Sequence, residues 1–145
     1  VEEDMAFNPN QSTLAACLEN IRSIQKAGGI ETGRIMTSKS KSVRSVADRL
    51  AVKNIPDGFT KEMLPLYFDG PTTLYISSGA PHAVVPSHSH DEGPGIRIMI
   101  SGSIHYKDME LTAGDWMYVP AGEKYEFTVG ARGATMCYCY ACCCA

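Results

Sequence analysis

From Phe59 onward the chain is a run of short β-rich segments cut at close intervals by glycine and proline, and this texture limits the fold more than any other feature. Candidate strands fall at residues 72–77, 83–90, 96–101, 103–106, 115–119, 125–129 and 134–140. Gly70-Pro71, Gly79, Gly93-Pro94-Gly95, Gly114, Pro120-Ala121-Gly122 and Gly130 punctuate them. Many short strands with turn signals between them pack as a sandwich or barrel. No helical pattern alternates with them, as a parallel βαβ sheet would require. The predicted fold class is mainly β.

The helical signal lies upstream. Over residues 8–28, Leu14, Cys17 or Leu18, Ile21 and Ile24 recur at helical spacing, Asn10 or Ser12 offers a cap, and Gly28-Gly29 ends the run. Cys17 reads as a small core residue on that stripe. Residues 33–49 carry Arg34, Lys39, Lys41, Arg44 and Arg49 among serines, which predicts a solvated basic segment with one short helix over residues 43–50. The expected organisation is an N-terminal helical and extended arm, 1–58, packed on a barrel, 59–145.

A chain of 145 residues fits one domain of ordinary size, and 44% hydrophobic with 20% charged residues is the balance of a soluble globular protein. A formal charge of −3 gives no electrostatic reason to expect a nucleic-acid partner. No run of 18 apolar residues is present, so no membrane-spanning helix is predicted. The chain opens on Val1 rather than Met, as a processed or trimmed stretch would.

Five of the six cysteines (Cys137, Cys139, Cys142, Cys143 and Cys144) fall in the last nine residues. A disulfide framework would spread them so that each bridge closes a long loop, and adjacent cysteines cannot pair without strain. The distribution points to a reducing compartment and a cytoplasmic location. Cys137-Tyr138-Cys139-Tyr140 alternates as a final strand does, with either the cysteines or the tyrosines facing inward. Inward cysteines would be apolar fillers or soft metal ligands. Cys142-Cys143-Cys144-Ala145 matches a prenylation box in form only, because its middle positions are not aliphatic.

The chemistry is concentrated in Pro86-Ser87-His88-Ser89-His90-Asp91-Glu92. Two histidines two residues apart on a strand project to one side, so both imidazoles can reach one point, as a divalent metal demands. A pair of this kind is also found as plain surface sequence.

Residues 79–130 resemble the two motifs of the cupin superfamily. The first runs from His88-Ser89-His90 to the strand Ile96-Arg97-Ile98-Met99-Ile100-Ser101-Gly102. The second is Gly114-Asp115-Trp116-Met117-Tyr118-Val119-Pro120-Ala121-Gly122-Glu123-Lys124-Tyr125. The resemblance implies one double-stranded β-helix, a cupin jelly-roll barrel, with an N-terminal helical extension and pairing into a homodimer. It also marks two departures. Metal-binding cupins usually place a glutamate seven residues before the glycine that closes the first motif, where this chain has Gly95. They place a third histidine three residues after the Pro-x-Gly turn, where it has Tyr125.

Three readings compete. In the first, a divalent metal (iron foremost, with zinc, nickel, manganese or copper as others) is held by His88, His90 and Glu92, with Asp91, Tyr125, His105 or Tyr106 as further candidates. The strand from Gly114 to Gly122 resembles small ring-cleaving and diketone-cleaving dioxygenases, which implies oxygen chemistry on a small organic substrate. In the second, the barrel is a metal-free isomerase or epimerase in which a histidine and Tyr125 act as base and acid, and Arg97 binds an anionic substrate group. A structural ion pair with Glu92 or Asp91 is the plain alternative for Arg97. In the third, the barrel is a small-molecule-binding or sensor module. An enzyme and a binding module would share nearly all these residues.

Overall fold

The computed structural model describes residues 7–141, and the Cys142–Cys144 readings lie outside the described residues. Two compact units emerge, one of residues up to Glu31 together with Lys41–Tyr67, the other of Thr32–Ser40 together with the residues from Phe68 onward.

The first unit is helical. Helix α1 (Leu14–Gly28) is capped by Thr13, whose hydroxyl accepts from the Ala16 N–H at 3.1 Å, rather than by Asn10 or Ser12. Gly29 closes it in the left-handed conformation at φ 61°, which glycine adopts without steric cost. Burial along α1 begins only at Leu18 and is complete at Ile21 and Ile24. Cys17 and Leu14 lie before that point and are exposed, which corrects the reading of Cys17 as a core residue. The segment expected to hold one short helix forms two, α2 (Lys41–Arg44) and α3 (Ala47–Leu50), which bury Val43 and Leu50.

The second unit is the barrel. Its strands are β1 (Met36–Thr37), β2 (Thr73–Gly79), β3 (Val84–His88), β4 (Gly95–Tyr106), β5 (Met109–Thr112), β6 (Trp116–Val119) and β7 (Tyr125–Tyr140). All pair antiparallel, in the order β1-β6-β4-β7-β2, with β3 on β7 and β5 on β4. The architecture is mainly β, a cupin-like double-stranded β-helix.

Two long strands organise it. The segments expected at 96–101 and 103–106 are one strand, β4, and those at 125–129 and 134–140 are one strand, β7. Each changes partner midway: β4 pairs with β6 in its first half and β5 in its second, and β7 pairs with β3 at its start and β2 at its end. Glycine does not end them. Gly102 sits at φ 71° beside Gly133, where a Cβ would run into the Gly133 carbonyl. The backbones meet there because Gly102 has no side chain. Met99, Ile104, Leu111, Met117, Phe127, Val129 and Met136 fill the interior. No helix among the described residues is long and apolar enough to cross a membrane.

Candidate functional site

One end of the barrel interior stays open as a pocket of about 320 Å³, lined by Tyr75, Ser77, Val85, His88, His90, Arg97, Tyr125, Tyr138 and Tyr140 with Ile76. Strand alternation explains who lines it. Arg97 on β4 lies directly across from Tyr138 on β7, and Gly95 across from Tyr140, so all four share a face. Cys137 and Cys139 take the other face, which settles the alternative left open by the alternating tail.

The histidines reach the pocket by an irregular route. Pro86 does not end β3; the register shifts between Val85 and His88, and His88 pairs with Tyr125. Proline has no N–H for a ladder and is tolerated at such a bulge. Two residues on, the His90 carbonyl accepts from the Gly122 N–H at 2.9 Å, tying the first motif to the Pro120-Ala121-Gly122 turn. The rings stand edge-on with centroids 5.0 Å apart. Because the Pro86 carbonyl can only accept, His88 Nδ1 donates to it at 2.8 Å, which leaves Nε2 with its lone pair.

Arg97 is the centre of the charge distribution. It is 5% exposed, lies 3.6 Å from the Tyr138 ring centroid and 4.4 Å from that of Phe127, and donates from Nη2 to the Tyr125 hydroxyl at 3.3 Å. A weaker contact runs from Nη1 to Met136 Sδ at 3.5 Å. Its Nε is buried without a hydrogen-bond partner among the described residues. Burial pushes the guanidinium down from its usual value, and Tyr125 and Tyr140 push back. Tyr125 in turn lies 3.1 Å from His90 Nε2, so a buried hydrogen-bonded line runs from Arg97 through Tyr125 to His90.

Other expected residues are placed elsewhere. Glu92 is exposed and does not line the pocket. The loop carrying it is held against the end of β7, where the Ala141 N–H donates to the Pro94 carbonyl at 2.9 Å and a Cβ on Gly93 would meet the Ala141 carbonyl. Asp91 is exposed and accepts from Ser89 at 2.7 Å, so neither carboxylate pairs with Arg97. His105 is exposed opposite Glu110, and Tyr106 belongs to the core. The sequence reading missed Tyr75 and Met136; the alternation of β2, with Leu74 and Ile76 outward, was the available signal for Tyr75.

The donor set does not fit a divalent metal. Among the described residues no three His, Cys, Asp or Glu side chains gather to hold an ion. At the position where the resemblance expects glutamate, a Cβ on Gly95 would run into the Tyr140 ring, so that place is taken. His90 Nε2 is engaged by Tyr125, and the neighbouring Arg97 would repel a second cation.

No protein-family model and no curated protein matches the sequence. Among solved structures, the chain is similar to a Ralstonia eutropha protein of unknown function with a cupin-like fold, at 24% identity over 48% of this chain and 46% of that one, TM-score 0.43. An uncharacterized Klebsiella pneumoniae protein with a double-stranded β-helix domain matches at 20% identity over 48% of this chain and 65% of that one, TM-score 0.42. The chain thus spans less than two thirds of the length of either. The Drosophila melanogaster CENP-C cupin domain matches at 11% identity over 89% of this chain and 98% of that one, TM-score 0.39. With β4 and β7 crossing both halves of the barrel and the His88–His90 and Gly114–Tyr125 segments meeting at one pocket, the chain has a cupin fold.

Proposed function

We infer that the barrel binds a small organic anion, anchored on Arg97. One observation carries this reading: a buried guanidinium lines a pocket that contains no carboxylate. Buried charges are ordinarily paired, because an ion taken out of water loses far more solvation than neutral hydrogen bonds return. Arg97 has two aromatic faces, a phenol and a thioether around it, and no anion among the described residues. A carboxylate entering the pocket would supply the missing charge and take guanidinium hydrogen bonds. Tyr75, Tyr138 and Tyr140 would hold a flat or aromatic body, and about 320 Å³ suits a small molecule.

The 3.1 Å contact between Tyr125 and His90 favours a second step, proton transfer on the bound anion. Arg97 donates to the Tyr125 oxygen at 3.3 Å, so the hydroxyl proton is directed at His90 Nε2. With Nε2 unprotonated, His90 is its base partner. His88, whose Nε2 lone pair is available, is the alternative base.

Isothermal titration of benzoate into chelator-treated protein tests the binding reading. Binding that survives chelation and is weakened at least about tenfold in Arg97→Met supports it; binding unchanged in Arg97→Met overturns it. The metal-dependent, dioxygenase-type reading expected from the histidine pair makes the opposite forecast, with function dependent on near-stoichiometric metal held by His88 and His90.

A further inference from the structure

Cys137 and Cys139 are reactive side chains of the barrel that the pocket leaves unused. They stand two residues apart on β7 and project from the face opposite Tyr138. Both are free and half-buried. Burial, together with the neighbouring Cys137, pushes the Cys139 thiol up from its usual value. Cross-strand register sets Ile76 and Ile98 beside Cys137, and Leu74 and Ile96 beside Cys139. Two sulfurs therefore lie side by side in an aliphatic frame, with no oxygen or nitrogen donor at the adjoining ladder positions.

This donor set is selective. Calcium and magnesium demand oxygen ligands, and zinc demands four donors in a tetrahedron. The described residues bring no third His, Cys, Asp or Glu to the pair. A soft monovalent cation prefers thiolate and is satisfied by two ligands in line. We propose that Cys137 and Cys139 form a two-coordinate site for a soft monovalent cation of the Cu(I) class, separate from the anion pocket. On binding, two S–H bonds break and their protons pass to solvent, two S–Cu bonds form, and copper keeps its oxidation state.

The test is anaerobic Cu(I) titration against the chromophoric chelator bicinchoninate, using the full chain with Cys142→Ser, Cys143→Ser and Cys144→Ser so that those thiols do not compete. The expected result is one Cu(I) per chain, with X-ray absorption showing two sulfur neighbours. Cys137→Ser or Cys139→Ser, and the alanine versions as a second set, should each weaken uptake by more than about 100-fold, beyond the cost of losing an outer-sphere partner. Circular dichroism and benzoate binding should stay unchanged in the same variants. Undiminished uptake by either single variant, no uptake by the folded parent, or nitrogen neighbours around the copper would overturn the proposal.

Discussion

A guanidinium loses most of its hydration when it is 5% exposed, and Arg97 recovers that loss only in part from Tyr138, Phe127, Tyr125 and Met136. Its contributions to binding and to stability therefore have opposite signs. Arg97→Met should weaken benzoate binding roughly 10- to 150-fold, the equivalent of about 1.5–3 kcal/mol for a charge-assisted hydrogen bond. The melting temperature of the same variant should hold or rise, because an apolar chain of similar length needs no desolvation. Calorimetry on one protein preparation reads both. Tyr125→Phe removes only the hydroxyl shared by Arg97 and His90, and should abolish proton exchange on a bound ligand in D2O while leaving binding within about tenfold, the scale of one neutral hydrogen bond. Arg97, Tyr125, His88 and His90 line one pocket, and their coming together was legible because motif spacing placed them on one strand face or one turn. Glu92 was misplaced by the same reasoning, since sequence gives proximity along the chain but not the Gly93–Ala141 contact that holds its loop against β7.

At the scale of elements, the barrel depends on close backbone approaches that glycine permits. Gly102→Ala puts a Cβ at φ 71° against the Gly133 carbonyl and should cost more than about 1 kcal/mol in denaturant unfolding. Gly95→Ala should cost about 1–3 kcal/mol by overpacking against Tyr140, and little in a Tyr140→Ala background. A double-mutant cycle measures the difference. The sequence reading took glycines as strand ends, which is their commoner use, and so split β4 and β7 into halves. It assigned no strand to Met109–Thr112, and it left the two-residue β1 inside a basic segment, too short for any period to register. In the helical unit, Thr13→Ala should cost about 1 kcal/mol through loss of the Ala16 cap bond.

For the whole molecule, stability at high pH carries a defined sign. Burial raises Tyr118, whose hydroxyl donates to the Thr32 carbonyl at 2.8 Å. A group whose pKa is raised on folding contributes stability that is complete below its unfolded value, near 10 for tyrosine, and is lost as pH rises through the folded value. Unfolding monitored from pH 8 to 12 should show stability falling above about pH 10, and falling less steeply in Tyr118→Phe. The cupin fold was legible because two motifs in order fixed the strand sequence. The charge character of the pocket was not, because it depends on which carboxylates fail to reach Arg97, and that is a fact of three-dimensional placement. The most direct test of the central claim is benzoate titration calorimetry on chelator-treated wild-type, Arg97→Met and His88→Ala/His90→Ala proteins, with metal content measured in parallel. Saturable binding by metal-free wild type that weakens roughly 10- to 150-fold in Arg97→Met is the expected result. Binding that requires near-stoichiometric metal, and disappears in the double-histidine variant but not in Arg97→Met, would contradict it.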